Sequence, residues 1–171
     1  MENQTGRICC FTGHRRIEAE DLRRLPGLID VYVEKLIALG VTVFRAGGAV
    51  GFDTLAALKV IEKKTKYPGI RLELCLPCKN QAEEWNDRSR GIYDFILSSA
   101  DAVHYEREKY TKSCMFERNR RLVRGSDFCL CYCSPRRGGS SYTLKFAWDS
   151  KVQTINLYDI LKNDTISSLL N

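Results

Sequence analysis

The chain has 171 residues, of which 44% are hydrophobic and 28% charged, with a formal net charge of +6. That length suits one domain with a full core; no apolar run approaches the ~20 residues of a membrane helix, so no membrane partner is expected. The positive excess leans toward anionic partners.

The start, Met1-Glu2-Asn3-Gln4-Thr5-Gly6-Arg7, is polar and shows no signal-peptide pattern, so a cytoplasmic location is expected. Ile8-Cys9-Cys10-Phe11-Thr12 then forms a short continuous apolar run, the pattern of a strand buried on both faces. Gly13-His14-Arg15-Arg16 ends it. Leu22, Leu25, Leu28, Ile29, Tyr32, Val33, Leu36 and Ile37 recur at helical spacing, with Pro26 in the first turn and Gly40 as the stop. Residues 41–45 form a second strand. It runs into Ala46-Gly47-Gly48-Ala49-Val50-Gly51-Phe52-Asp53, and a helix follows from Thr54 to Lys63.

Strand, glycine-rich turn and helix together make an anion site. The glycines permit a close backbone approach, and the amides of the first helical turn lack partners within the helix. A third strand covers residues 71–76, closed by Pro77; a helix carries Trp85, Ile92, Tyr93, Ile96 and Leu97; a fourth strand covers 101–105. Residues 114–123 read as a helix whose inner face is Met115, Phe116, Leu122 and Val123. A fifth strand covers 128–133. A second glycine-rich turn, residues 134–141, precedes a helix with Tyr142, Leu144, Phe146, Ala147 and Trp148. A sixth strand covers 152–157, and a short helix from about 165 to 170 closes the chain.

Strands and helices alternate six times, which gives a mostly parallel sheet with helices on both faces. Loops after the strands then gather at one edge, bringing Gly13–Arg16, Gly47–Asp53 and Gly138–Thr143 onto a common rim. Arg15-Arg16, Arg118/Arg120-Arg121-Arg124 and Arg136-Arg137 fall beside strand ends, whereas Arg23-Arg24 reads as solvated surface. Eight cysteines raise the question of metal or disulfides. Cys129, Cys131 and Cys133 alternate on one side of a strand, and Cys75-Leu76-Pro77-Cys78 lacks a second pair at zinc spacing. Buried thiols and no metal are expected.

The residues quoted so far resemble a known superfamily. The loop from Ala46 to Asp53 is similar to the small-Gly-x-Ala-x-Gly-x-Asp loop of the DNA-processing protein A (Smf) family, and Arg118-Asn119-Arg120 to that family's Arg-Asn-Arg segment. Gly139-Ser140-Ser141-Tyr142-Thr143 resembles its Ser-Gly-Ser/Thr-x-Thr turn. Cys10 to Arg15 and the segment from Gln81 to Asp101 are similar to the smaller YpsA-like family. Both belong to the SLOG superfamily, with the Lonely Guy phosphoribohydrolases. The resemblance implies a Rossmann-like three-layer α/β/α sandwich of about six or more strands, as a single domain over residues 1–171. It implies a nucleotide-derived ligand, such as an ADP-ribose-like molecule, at the carboxyl edge of the sheet, bound by a sensor or regulatory module. It is compatible with a homo-oligomer, which no residue here demonstrates. No glutamate follows Thr143 where Lonely Guy enzymes place their catalytic one.

The candidate ligand-binding residues are Gly13, His14, Arg15, Arg16, Gly47, Gly48, Gly51, Asp53, Arg118, Asn119, Gly138, Gly139, Ser140, Ser141 and Thr143. Arginines clamp phosphate bidentately. Asp53 either accepts from a ribose hydroxyl or caps its helix. Of the Arg-Asn-Arg residues, Asn119 is the expected inward one. Asp53 and His14 are the candidates for a catalytic base in an alternative reading, a hydrolase of N-glycosidic or phosphate bonds. A third reading is a single-stranded nucleic-acid groove, which needs exposed aromatics among basic residues; Tyr110 and Tyr142 are the candidates.

Overall fold

The computed structural model of the protein describes residues 6–135 and 138–170. Residues 1–5 of the polar start, and Arg136 and Arg137, lie outside the described residues. The elements are β1 (Arg7–Gly13), α1 (Leu25–Ala38), β2 (Val41–Ala46), α2 (Phe52–Lys63), β3 (Arg71–Cys78) and α3 (Asp87–Ser99) in the first half. β4 (Ala102–Arg107), α4 (Cys114–Val123), β5 (Phe128–Tyr132), α5 (Gly138–Asp149), β6 (Gln153–Asn156) and α6 (Leu157–Leu170) follow. Neighbouring strands pair in parallel, in the order β4-β3-β2-β1-β5-β6. This is an α/β Rossmann-like sheet.

Right-handed crossovers put α1, α2, α3 and α6 on one face and α4 and α5 on the other. The two faces are packed differently. On the first, Phe11 stacks on Phe44 at 5.7 Å and Phe52 on Tyr132 at 6.3 Å. On the second, Cys10, Cys75, Cys129, Cys131 and Cys133 meet Leu122, Val123, Leu144 and Ala147. Cysteine is a small buried hydrophobe, so this layer lets α4 and α5 lie close to the strands. All eight cysteines are buried free thiols. Among the described residues no helix is long and apolar enough to cross a membrane.

Several boundaries differ from the sequence expectations, each for a packing reason. Leu22 is half exposed, and the first helix begins at Leu25, with Pro26 in its first turn. Trp85 precedes the third helix instead of lying in it; Asn86 caps that helix by accepting from Ser89 N–H at 2.9 Å, and Trp85 packs edge-on against Tyr93. β3 runs through Pro77 to Cys78. The fourth strand extends to Arg107, while Asp101 turns aside to accept from Leu72 N–H and Lys64. The final helix starts at Leu157, not near 165, because Leu157 and Leu161, four residues apart, bury into the core together. Phe116 and Trp148 are half exposed or more, and the inner face of α4 instead carries Cys114, Arg118, Asn119, Leu122 and Val123.

Candidate functional site

The strand order reverses between β1 and β5, and in such sheets a crevice opens beyond the strand ends at that point. The glycines of the three loops do different work there. A Cβ at Gly13 would overlap the Phe52 side chain, so the end of β1 lies directly against the start of α2. Gly51, the N-cap of α2, has φ 83° and ψ −126°, and a Cβ there would strike the carbonyl groups of His14 and Arg15. The adjacent Phe52 N–H donates to the His14 carbonyl at 3.1 Å, which joins the first two loops. Gly48, also at positive φ, packs against Leu76.

Beneath these loops lies a buried charge pair. Asp53, in the first turn of α2, is 5% exposed and accepts from Ala49 N–H at 3.4 Å, with the Gly47 amide also bonding it. Arg118 reaches in from α4 and is 6% exposed. It donates from Nη1 to the Gly47 carbonyl at 2.6 Å and from Nε to Asn119 Oδ1 at 2.8 Å. Guanidinium and carboxylate attract each other across Gly47, where no Cβ could fit. Asp53 thus satisfies amides of its own loop, a role distinct from both the ribose contact and the helix cap expected of it. Amides of the Gly47–Gly51 loop that were candidates for phosphate already hold a carboxylate.

Burial pushes the Asp53 carboxyl from its ordinary 3.8 up to about 6, against the opposing pull of Arg118 and the two amides. Burial also lowers Arg118, against the attraction of Asp53, but a guanidinium keeps its proton in neutral water. The folded state therefore binds the Asp53 proton more tightly than the unfolded chain does. The stability that results is complete below about pH 4 and lost as pH rises through about 6, a change of about 3 kcal/mol. The difference in unfolding free energy between the wild type and Asp53→Asn should fall by about that amount from about pH 4 to about pH 7 in urea titrations. A pH-independent difference would show that the carboxyl is not desolvated.

Above this pair is a cavity of about 340 Å³. Gly13, His14 and Arg15 line it from the β1 loop, Asp53 from below, Arg118 and Asn119 from α4, and Gly139, Ser140 and Thr143 from α5. The second glycine turn is itself helical: α5 begins at Gly138, earlier than expected, so Gly139 and Ser140 form its first turn. Gly139, Ser140 and Thr143 put the start of this helix, where the first amides have no acceptor within the helix, at the cavity wall. Asn119 lines the cavity, and with its Oδ1 accepting from Arg118 its amide nitrogen is the group that can donate to a ligand.

Other candidates stand elsewhere. Gly47, Gly48 and Gly51 lie under the cavity and shape the loop. Arg16 lines a wider neighbouring cavity of about 860 Å³ with Tyr132, Ser134 and Tyr158. Ser141 faces a third cavity, beside Cys133 and Trp148. His14 Nε2 accepts from Ser134 N–H at 2.8 Å, which places its remaining proton on Nδ1 and ties β1 to β5 across the crevice.

Thr12, Ala49, Met115, Phe116 and Leu122 also line the cavity above the charge pair and were not among the candidate ligand-binding residues; Met115, Phe116 and Leu122 read from sequence as the inner face of their helix. Met115, Arg118, Asn119 and Leu122 recur at i, i+3, i+4 and i+7, and that stripe would have placed both polar residues inward. Phe116 is 51% exposed, lines the cavity and meets Tyr142 edge-on at 5.1 Å.

Comparison with known proteins agrees with this architecture. The YpsA family model, that of the YspA SLOG family, matches residues 9–165. A UPF0398 protein of Bacillus pumilus is 29% identical over 134 residues, 77% of this chain and 68% of the relative. One from Bacillus cereus is 31% identical over 121 residues, 68% of this chain and 66% of the relative. Among solved structures, DNA processing protein A from Helicobacter pylori, described for its single-stranded DNA binding mode, matches with a TM-score of 0.63 at 18% identity. That match covers 87% of this chain and 64% of the other. DNA processing protein A from Streptococcus pneumoniae matches with a TM-score of 0.65 at 17% identity, over 87% of this chain and 49% of that one. At these identities the two structures show the shared fold.

Proposed function

We propose that this chain, which belongs to the YspA SLOG family, binds a phosphorylated nucleoside or related nucleotide-derived ligand in the crevice between β1 and β5. The observation that carries the reading is the makeup of the 340 Å³ cavity: it is lined by the first turn of α5, by Arg15 and by the half-exposed Phe116, which Tyr142 meets edge-on. Helix-start amides and an arginine suit a phosphate, and an aromatic pair suits a base. The volume lies within the range of small-molecule sites. Both candidate bases have structural duties, Asp53 to its loop amides and His14 to Ser134. This favours binding without turnover, as in a sensor, over a hydrolase.

Calorimetry with AMP, ADP and ADP-ribose tests the reading. Saturable binding is expected, with Arg15→Ala and Asn119→Ala each weakening it by about tenfold. Silence across the panel from folded protein would remove the proposal.

The second reading is a single-stranded nucleic-acid surface. It rests on the exposed Phe116 and Tyr110 beside a basic segment, and on the H. pylori protein's single-stranded DNA binding. Binding to an oligothymidylate that collapses with added salt would favour it, and a salt-insensitive mononucleotide affinity would exclude it as the main role.

A further inference from the structure

We propose a second binding site, for a small multivalent oxyanion, in the cleft between the uncovered face of β2-β3-β4 and the carboxyl-terminal half of α4. The cleft holds about 350 Å³ and shares no lining residue with the cavity at the strand ends. Arg45 and His104 lie on its floor, and Arg120, Arg121 and Arg124 on its α4 wall.

Its acidic groups are already neutralised. Arg45 pairs with Glu73 at 3.2 Å, Arg121 pairs with Glu106, and Glu117 is held by Arg107 at 2.8 Å from outside the cleft. Arg120 and Arg124 have no ion pair among the described residues, and both are exposed. They stand four residues apart, hence on one side of the helix. The end of α4 would repel an anion through its free carbonyls, but Arg45 donates from Nη1 to the Arg124 carbonyl at 2.7 Å and offsets that repulsion. The lining carries four arginines, Arg45, Arg120, Arg121 and Arg124, against three glutamates, Glu73, Glu106 and Glu117. Two free guanidinium forks above a neutralised floor suit a phosphate or carboxylate group. Cys75, opposite His104 in the sheet register, is pushed up to about 11 by burial; it stays a thiol, so the cleft has the makeup of a binding site without a nucleophile.

The test titrates inorganic pyrophosphate and citrate into 15N-labelled protein at low ionic strength. The expected result is saturable binding with shifts at His104, Arg120 and Arg124. Arg120→Gln/Arg124→Gln should weaken it by about tenfold or more, with Asn119→Ala unchanged. Tighter binding of pyrophosphate identifies a phosphate ligand, and tighter binding of citrate a carboxylate one. Should the double variant fail to fold, Arg120→Glu alone serves the same comparison. No saturation with either anion, shifts confined to the strand-end cavity, or undiminished affinity in the variants would overturn the proposal.

Discussion

Gly51→Ala is expected to lower the unfolding free energy by about 3–5 kcal/mol. The cost has two sources. At φ 83° and ψ −126° the backbone sits where L side chains are strained. The added methyl would also meet the carbonyl groups of His14 and Arg15, which are main chain and cannot swing aside as a side chain could. Moving that loop would break the bond from Phe52 N–H to the His14 carbonyl, which holds the β1 and β2 loops together. Denaturant titration reads the effect, with Gly91→Ala as the control. Gly91 lies within α3 with nothing near its missing Cβ, so alanine there should stabilise by about 0.5–1 kcal/mol. A Gly51→Ala loss below about 1 kcal/mol would mean that the two loops do not touch as described.

Arg118→Met is expected to cost about 3–5 kcal/mol near neutral pH. Methionine retains most of the buried stem and removes the charge. The Gly47 carbonyl then loses its donor, Asn119 loses the bond that orients it, and Asp53 loses the cation that favours its ionised form. Asp53→Asn in the same chain should restore part of the loss, because the amide still accepts from Ala49 N–H and leaves no lone buried charge. A double-mutant cycle measures the coupling. Strictly additive losses would show that the two side chains do not communicate across Gly47.

These two residues illustrate what could be read from the chain itself. The run from Val41 through Gly51 into helix two, and the six alternations of strand and helix, follow from local periodicity and turn chemistry, and they suffice for a parallel sheet with loops gathered at one edge. The use of those loops depends on partners far apart in sequence. Arg118 read as a ligand contact because the carbonyl it bonds lies 71 residues away and nothing nearby in sequence points to it. Asp53 read as a cap or a ligand contact because nothing nearby in sequence reveals that its carboxylate holds the loop's own amides. Gly138 to Ser141 read as a turn because glycine and serine have low helix propensity; packing of Thr143, Leu144 and Ala147 against the sheet makes them the first turn of α5. Leu157 continued an apolar strand pattern, and only its pairing with Leu161 in the core shows that a helix starts there.

The layer of sulfur between the sheet and α4 and α5 gives the molecule a built-in gauge of its own integrity. A thiol-blocking reagent finds no cysteine on the native surface, so each label taken up marks a chain that has opened. Cys9 belongs to the aromatic side of the sheet, whereas Cys10, Cys129 and Cys131 belong to the other. The order in which they are modified therefore tells which half of the sandwich lifts away first.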